Sequence, residues 1–271
     1  MGLILSIDVG TTNIKAALID EDDKLCGEAT NIATKIEGDA SGRAEHDPHA
    51  LRTALLEVCR QAIGSRGSEV DGLALTSYMF GLVLVDRHDE PLTRVSTFLD
   101  TSTQTHYPRF LEAIGDVEGM YERTGCPPIF QYPINRLHHL LTTNPGLRDR
   151  IARVLDSKAF LIHHLTGEYV TDHSTANSLG CLDTEGRWDA PVLAALGLPE
   201  SVFPRVGNGF REKLPLRPEL CAEFGLRPGT PVSVGLYDGA ALAAAMTGFA
   251  ENVAVGNFGT SGMFRVPTAA P

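Results

Sequence analysis

Asp8 stands between an apolar segment and a turn of small polar residues, a combination that can bind phosphate. The turn is Gly10-Thr11-Thr12, and apolar, β-branched runs at residues 3–9 and 14–19 flank it, which predicts a tight β-hairpin. Backbone N–H groups and hydroxyls in such a turn suit a phosphate, a neighbouring carboxylate suits the Mg²⁺ that accompanies nucleotide phosphates, and Lys15 can add a positive charge. A plain hairpin with a solvated Asp8 explains the same spacing, and from spacing alone it is the simpler interpretation.

Two comparable features occur near the other end of the chain. Asp238 follows a short apolar strand at residues 231–235 and precedes an Ala-rich helix, where an Asp is by default an N-cap. Residues 254–266 form a second strand-turn-strand pattern around the turn Gly259-Thr260-Ser261. Two hairpins of the same kind are thus predicted near the two ends of the chain.

The first half of the chain alternates between strand and helix patterns. Residues 24–32 predict a third strand, and Pro48 begins a helix that stops at Gly64. Residues 70–76 and 81–85 then predict two further strands. Three strands, a helix and a strand is the order expected of a ribonuclease H-like domain.

The second half of the chain is predominantly helical in pattern. Residues 102–114 predict a helix for which Asp100 is a suitable N-cap. Residues 116–200 are typical of a helical insertion rather than of further sheet. The strand and helix pattern returns only at residue 231, before Asp238.

Composition limits the class of protein. The chain has 271 residues, 43% of them hydrophobic and 21% charged, as expected of one large or two smaller globular domains. No apolar run approaches the roughly 20 residues of a membrane span, and the N-terminus does not resemble a secretory signal, so we expect a cytoplasmic protein with no membrane partner. A net charge of −11 argues against nucleic acid as a partner, and five scattered cysteines argue against a disulfide framework or a zinc site.

Several segments, in order along the chain, resemble the FGGY carbohydrate kinases of the actin-like ATPase superfamily, xylulokinases and gluconokinases in particular. Residues 156–176 are the longest match, similar to the family's Lys-Asp-Tyr-Leu-x-x-x-Leu-Thr-Gly-Glu-x-x-Thr-Asp-x-Ser-x-Ala. Residues 8–16 are similar to the family's first phosphate motif, and residues 45–48 to its Glu-Gln-Asp-Pro element. Residues 235–238 are similar to its Gly-x-x-Asp element, and residues 259–262 to its second phosphate motif, Leu-Gly-Thr-Ser-Gly.

The resemblance implies an α/β fold: a ribonuclease H-like (actin-like ATPase) domain with a helical insertion, followed by the truncated start of a second such domain. The predicted N-terminal FGGY domain spans residues 1–245, with the insertion at about 102–200, and residues 246–271 begin the C-terminal domain. Members of the family continue for roughly another domain of about 200 residues, which completes the adenosine pocket. Two explanations of the missing part stay open: the chain is truncated, or a partner chain supplies the rest.

The resemblance also implies roles for individual residues. Asp238 is the general base that takes a proton from the attacking sugar hydroxyl, and Asp8 holds Mg²⁺ through water. ATP phosphates are clamped by two turns, together with Lys15; the turns are Gly10-Thr11-Thr12 and Gly259-Thr260-Ser261.

The sugar contacts implied by the resemblance lie in two loops. Tyr78-Met79-Phe80 stands where xylulokinase-like members carry Gln-Met-His, so Phe80 replaces a polar contact. Asp100 matches the Asp of a Trp-x-Asp-x-Arg element, and it can accept hydrogen bonds from sugar hydroxyls. Capping of the core by residues 78–80 and helix capping by Asp100 are the structural alternatives.

Two hypotheses follow from these observations. The first is ATP-dependent phosphorylation of a hydroxyl of a small sugar, polyol or sugar acid, such as the ketose xylulose or the aldonate gluconate. The second is a catalytically incomplete, sugar-binding half of such a kinase that lacks its nucleotide-binding lobe. The expected ligands are ATP, Mg²⁺ and a sugar or sugar acid, and the expected protein partner is either a second copy in a homodimer or the missing C-terminal lobe.

Overall fold

The computed structural model describes residues 2–258 and 262–267. Its β-strands, in chain order, are β1 (Leu3–Val9), β2 (Asn13–Ile19), β3 (Thr30–Ala33), β4 (Ile36–Gly38), β5 (Ala44–His46), β6 (Val70–Ser77), β7 (Val83–Val85), β8 (Val95–Ser96), β9 (Arg153–Leu155), β10 (Val170–Asp172), β11 (Arg205–Gly207), β12 (Lys213–Pro215), β13 (Pro231–Ser233), β14 (Val255–Phe258) and β15 (Gly262–Arg265). Its α-helices are α1 (Pro48–Ile63), α2 (Tyr107–Ile114), α3 (Val117–Thr124), α4 (Pro133–Thr143), α5 (Ser157–Thr166), α6 (His173–Asn177), α7 (Ala190–Leu196), α8 (Pro218–Phe224) and α9 (Asp238–Thr247).

The main sheet has six strands in the order β12-β13-β6-β1-β2-β3. Strands β1 and β2 form the predicted antiparallel hairpin, in which Asp8 lies opposite Lys15. Strands β1, β6 and β13 run parallel to one another, so their carboxyl ends lie at the same edge of the sheet. In open α/β sheets this edge is where ligands bind.

Alternation within the strands explains how the sheet packs. In β1 the odd-numbered residues are buried and Ile4 and Ser6 are exposed, the period of two that a strand with one covered face requires. Helices α1, α5 and α8 contribute Leu55, Phe160 and Leu220 to the same core as the strands. Burial of these apolar side chains is the main favourable term that holds the helices on the sheet.

A second apolar core lies among α2, α4 and α7. Phe110, Leu137 and Val192, one from each helix, are buried together there. Helix α5 packs in the core of the sheet instead, although it falls within the range predicted as an insertion. The insertion at about 102–200 and the boundary at residue 245 stay predictions.

Some predicted elements have different bounds in the structure. The third strand begins at Thr30 rather than Lys24, because Asp20 binds the backbone N–H of Lys24 in a turn and Gly27 has a φ of +111°. Strand β7 pairs with β9 rather than joining the main sheet. The helix predicted from residue 102 begins at Tyr107, after a 3₁₀ turn at Gln104–His106.

Two further predicted elements are confirmed. Helix α1 begins where Asp47 accepts a hydrogen bond from Ala50 N and Pro48 takes the first helical position, and it ends before Gly64. The second hairpin forms from β14 and β15, which pair with each other. Among the residues described, no helix is both long and apolar enough to cross a bilayer.

Candidate active site

The predicted acidic residues lie at the carboxyl edge of the main sheet. Asp8 is the last but one residue of β1 and pairs in register with Thr76 of the neighbouring parallel strand β6. One residue further along, Ser77 forms a parallel bridge with Tyr237, which directly precedes Asp238. The topology therefore brings together two carboxylates that are 230 residues apart in the sequence.

Asp8 is only partly committed to protein partners. Its Oδ1 accepts a hydrogen bond of 3.1 Å from the Thr76 hydroxyl. Lys15 Nζ lies 3.9 Å from its Oδ2, and both side chains are about half exposed, so this ion pair contributes little to stability. The carboxylate is thus oriented by Thr76 and still accessible to solvent.

The turn after Asp8 is held in shape by a residue that sequence reasoning missed. Thr34 donates its backbone N–H to the carbonyl of Thr12 and its hydroxyl to the carbonyl of Thr11, both at 2.9 Å. Gly10 is needed because a Cβ there would lie 2.9 Å from the carbonyl oxygen of Asn13. Thr34 carried no sequence signal, since it lies in the loop after β3.

Asp238 is the first residue of α9, and the N-cap is Tyr237. The N-cap interpretation of Asp238 is therefore wrong: the carboxylate accepts the N–H of the adjacent Gly239 at 2.6 Å rather than that of a residue in the next turn. Burial raises the pKa of the Asp238 carboxyl and the charge of Asp8 raises it further, against the Gly239 hydrogen bond and the Arg265 cation. Asp238 is thus an exposed residue whose carboxylate is close to Asp8 and is partly desolvated by the protein atoms around it.

Residues 78–80 have unequal environments. Tyr78 is buried in the core of the sheet, with its ring centroid 5.6 Å from that of His46. Met79 and Phe80 are half-buried, and Phe80 has a φ of +66°. The structure therefore places Tyr78 as a core residue, the structural alternative considered for it, whereas Met79 and Phe80 are accessible.

Phe80 is fixed by two contacts that the sequence did not indicate. Its backbone N–H donates to the Ser178 hydroxyl at 3.3 Å. Its ring packs edge-on against Tyr132, with the centroids 5.3 Å apart and the planes at 82°. A sugar that contacts Phe80 would therefore also lie near the Tyr132 ring.

Asp100 is buried and surrounded by donors. Its carboxylate forms an ion pair with Arg136 and accepts hydrogen bonds from the backbone N–H groups of Ala44, at 3.1 Å, and Ser102, at 2.9 Å. Arg136 also pairs with Glu45 at 3.2 Å. Both Asp100 oxygens are therefore used within the protein, and its role at the sugar stays a prediction.

Arg265 reaches the start of α9 from the second hairpin. Its Nε lies 3.3 Å from the Tyr237 hydroxyl, and its guanidinium carbon is 5.7 Å from the centre of that ring. A Cβ at Gly239 would overlap the guanidinium, so the missing side chain makes room for it. The glycine after Asp238 was the signal in the sequence that a group approaches closely here.

The second predicted phosphate clamp is the turn between β14 and β15. Gly259, Thr260 and Ser261 lie outside the described residues. The strands on either side, β14 and β15, pair from Val255 with Arg265 to Phe258 with Gly262. Among the described residues, no cluster of three or more His, Cys, Asp or Glu side chains is arranged to hold a metal ion.

A mixed sheet that opens with an antiparallel hairpin, carries parallel strands and has acidic residues at its carboxyl edge defines a ribonuclease H-like domain of the actin-like ATPase type. Residues 3–256 match the family model described as the N-terminal domain of the FGGY family of carbohydrate kinases. The chain belongs to this family. Both the predicted fold class and the resemblance seen in the sequence are confirmed.

Individual relatives are distant in sequence and about twice as long. A gluconokinase from Bacillus subtilis (strain 168) is 23% identical over 97% of this chain and 51% of that protein. A xylulose kinase from Haemophilus influenzae is 26% identical over 99% of this chain and 57% of that protein. The crystal structure of a gluconate kinase from Lactobacillus acidophilus has a TM-score of 0.90 at 24% identity, over 98% of this chain and 54% of that one. The chain thus spans about half the length of these relatives.

Proposed function

We propose that this chain takes part in ATP-dependent phosphorylation of a hydroxyl of a small sugar, polyol or sugar acid, with Asp238 as the general base. The observation that carries the proposal is the convergence of Asp8 and Asp238 at one sheet edge. Asp238 is exposed there, and partial desolvation by the surrounding protein atoms together with the charge of Asp8 raises the pKa of its carboxyl. A carboxyl with a raised pKa is a better proton acceptor than a solvated one.

The chemistry requires such an acceptor. A sugar hydroxyl is too weakly acidic to ionise at neutral pH, so its proton must pass to a positioned carboxylate as its oxygen attacks phosphorus. In the proposal the proton passes to an oxygen of Asp238, and the short bond from Gly239 N–H holds the other oxygen in place. Met79, Phe80 and Tyr132 would orient the sugar, because they are the accessible side chains of the neighbouring loops.

ATP supplies the transferred phosphoryl group, and the environment of Asp8 fits the Mg²⁺ that accompanies ATP. Mg²⁺ usually keeps several waters and binds through one or two carboxylates plus substrate phosphates. Asp8 offers a half-exposed carboxylate whose Oδ1 is already oriented by Thr76. We propose two turns and one lysine as the contacts to the ATP phosphates. They are Gly10-Thr11-Thr12, Gly259-Thr260-Ser261 and Lys15.

A second candidate is a sugar-binding half that does not turn over by itself. The chain spans about half the length of its relatives, and large apolar side chains near the second hairpin are strongly exposed, at 68% for both Met246 and Phe264. Exposed apolar surface of this kind marks interaction sites. In this case the nucleotide-binding lobe, a second copy or another chain would complete the site.

A coupled ADP-release assay over pentuloses, hexuloses, polyols and aldonates tests the proposal. We expect turnover with one sugar class, and a kcat reduced roughly 10²- to 10⁴-fold in Asp238→Asn, because that range is typical of a general base. Asp22→Asn, in an exposed turn, is the matched control and should turn over like the wild type.

Calorimetry with the same panel separates the two candidates. Sugar binding without ADP release, equally in the wild type and in Asp238→Asn, would support the sugar-binding half. Sugar-dependent turnover that survives in Asp238→Asn would refute the assignment of the base. An aldonate or a ketose is the substrate class we favour, since the relatives include gluconokinase and xylulose kinase.

A further inference from the structure

The loop that carries Asp238 is tied to a buried ion pair between α5 and the end of β10. Lys158, at the start of α5, is completely buried and forms an ion pair with Asp172, which is also buried. The Lys158 ammonium also donates a hydrogen bond of 2.9 Å to the carbonyl oxygen of Gly235. Gly235 lies three residues before Asp238.

A second tie runs from the same ion pair to the residue next to Asp238. Asp172 Oδ2 accepts hydrogen bonds from the backbone N–H of Ser174, at 2.7 Å, and from its hydroxyl, at 2.5 Å. The Ser174 oxygen in turn accepts the backbone N–H of Tyr237 at 3.2 Å. The loop is thus held at both of its ends, at the Gly235 carbonyl and at the Tyr237 amide.

The backbone between these ties has little freedom to move. Gly235 has a φ of +67°, and a Cβ there would overlap the carbonyl oxygen of Leu75 in β6. Tyr237 is in the extended conformation and bridges Ser77. Two hydrogen bonds and two strand contacts therefore determine the direction in which α9 starts, and with it the position of the Asp238 carboxylate.

We propose that Lys158, Asp172 and Ser174 are positioning residues that hold the Asp238 carboxylate in its productive orientation. This inference rests on the proposed function of Asp238 as the base. It also gives a physical role to the segment 156–176, in which Lys158 and Ser174 hydrogen-bond to the loop and Asp172 joins them to each other. A charged pair is suited to the task because a buried ammonium held by a carboxylate makes stronger hydrogen bonds than a neutral donor does.

Ser174 is the residue to change, because removal of either charge leaves the other uncompensated in the interior and can unfold the chain. Ser174→Ala removes the acceptor of the Tyr237 amide and one donor to Asp172. Thr175→Val is its matched control: the Thr175 hydroxyl also donates to Asp172, at 2.5 Å, but has no hydrogen bond to the loop. Both variants therefore remove one hydroxyl from the carboxylate, and only one of them loosens the loop.

The first readout is the hydrogen-exchange rate of the Tyr237 amide, which needs no turnover. We expect exchange at this amide to be at least tenfold faster in Ser174→Ala and unchanged within twofold in Thr175→Val. The second readout is kinetic: kcat should fall roughly 10- to 100-fold in Ser174→Ala with the KM for ATP unchanged, because a small misplacement of a reacting group is costly. Thermal melting should shift by the same few degrees in both variants.

Equal exchange rates and equal kcat values in the two variants would overturn the inference, since they would show that Ser174 only supports the fold. Asp238→Asn, assayed in parallel, separates this failure from that of the proposed function. Turnover that survives in Asp238→Asn refutes the assignment of Asp238 as the general base. In that case the hydrogen-exchange rate of the Tyr237 amide alone decides whether Ser174 anchors the loop. Turnover lost in Asp238→Asn but retained in Ser174→Ala refutes only the positioning role.

Discussion

Arg265 lies against Tyr237, with 3.3 Å between the guanidinium Nε and the phenol oxygen. The second hairpin is thereby attached to the residue that precedes the proposed base. Because the guanidinium also lies against Gly239, it places a permanent positive charge beside Asp238. The ionisation of Asp238 therefore depends on a residue in β15 as well as on Asp8.

Loss of this charge should raise the pKa of Asp238 further. In Arg265→Gln the carboxylate loses a favourable interaction, so the neutral form gains population and a higher pH is needed to ionise it. A ¹³C titration of the Asp238 carboxyl measures the change, and the acid limb of kcat/KM should move to higher pH with it. Arg265→Lys, which keeps the charge, should stay close to the wild type; an unchanged pKa in Arg265→Gln would contradict the prediction.

Arg136 should be one of the most destabilising positions to truncate. Arg136→Met leaves the carboxylate of Asp100, whose side chain is only 1% exposed, without its cation, and it also removes the partner of Glu45. We expect the free energy of unfolding to fall by about 3–5 kcal/mol, as for other buried pairs that lose one member. Urea denaturation measures the change.

Arg187→Met provides the control for Arg136. Arg187 also bridges two carboxylates, Asp183 and Glu185, but its side chain is 68% exposed. Exposed ion pairs contribute about 0–1 kcal/mol, so the loss should be small. A similar fall in the free energy of unfolding in the two variants would show that burial does not make the Arg136 ion pairs more important for stability than the exposed ones.

His46 should make the fold sensitive to acid. Burial, with a smaller contribution from Arg94, lowers its pKa to about 4 from the ordinary value of 6.5. A protonated His46 is thus disfavoured in the folded state, so its neutral form contributes stability above pH 6.5 that is lost as the pH falls from 6.5 to about 4. The full loss is on the order of 3 kcal/mol, from about 1.4 kcal/mol for each pKa unit.

His46→Gln should flatten this part of the pH dependence, as followed by urea unfolding at pH 7.5 and pH 4.5. His49→Gln is the control for the exchange of side chains, since His49 is exposed at the start of α1. Burial also lowers the pKa values of His106 and His164 to about 4, so these residues contribute to the same pH dependence of stability. Their contribution cancels when the variants are compared with the wild type, because all of these proteins contain both residues. The prediction fails if His46→Gln retains the slope of the wild type.

Gly235 should tolerate no side chain. In Gly235→Ala the added Cβ meets the carbonyl of Leu75 as well as an unfavourable positive φ. Gly229→Ala is the matched control, because Gly229 has a φ of +79° but nothing within 4 Å of the added atom. Backbone strain of this kind costs about 1–3 kcal/mol, and we expect Gly235→Ala to lose more stability than Gly229→Ala in urea denaturation. Equal losses of stability in the two variants would mean that the backbone around Gly235 shifts to accommodate the added Cβ.

Local elements of the fold could be predicted where neighbouring residues specify them. The hairpin of β1 and β2 follows from alternating apolar residues around a Gly-containing turn, and α1 follows from Asp47, Pro48 and Gly64, all in or beside the helix itself. The third strand begins later than predicted, because the turn at Asp20 and the positive φ at Gly27 interrupt the segment 24–32. Such local hydrogen bonds outweigh strand propensity, which depends strongly on context.

The sequence by itself determined the family and the local elements at its start, and it predicted roles for the two carboxylates, because short motifs and periodicity are properties of neighbouring residues. Only the tertiary structure decided what these side chains touch. Asp100 was predicted at the sugar and is paired with Arg136, 36 residues later, while Lys158 reaches Gly235, 77 residues away. Contacts of this length arise because elements distant in the sequence pack side by side, as the parallel strands β1, β6 and β13 do, and such packing leaves no periodic trace in the chain.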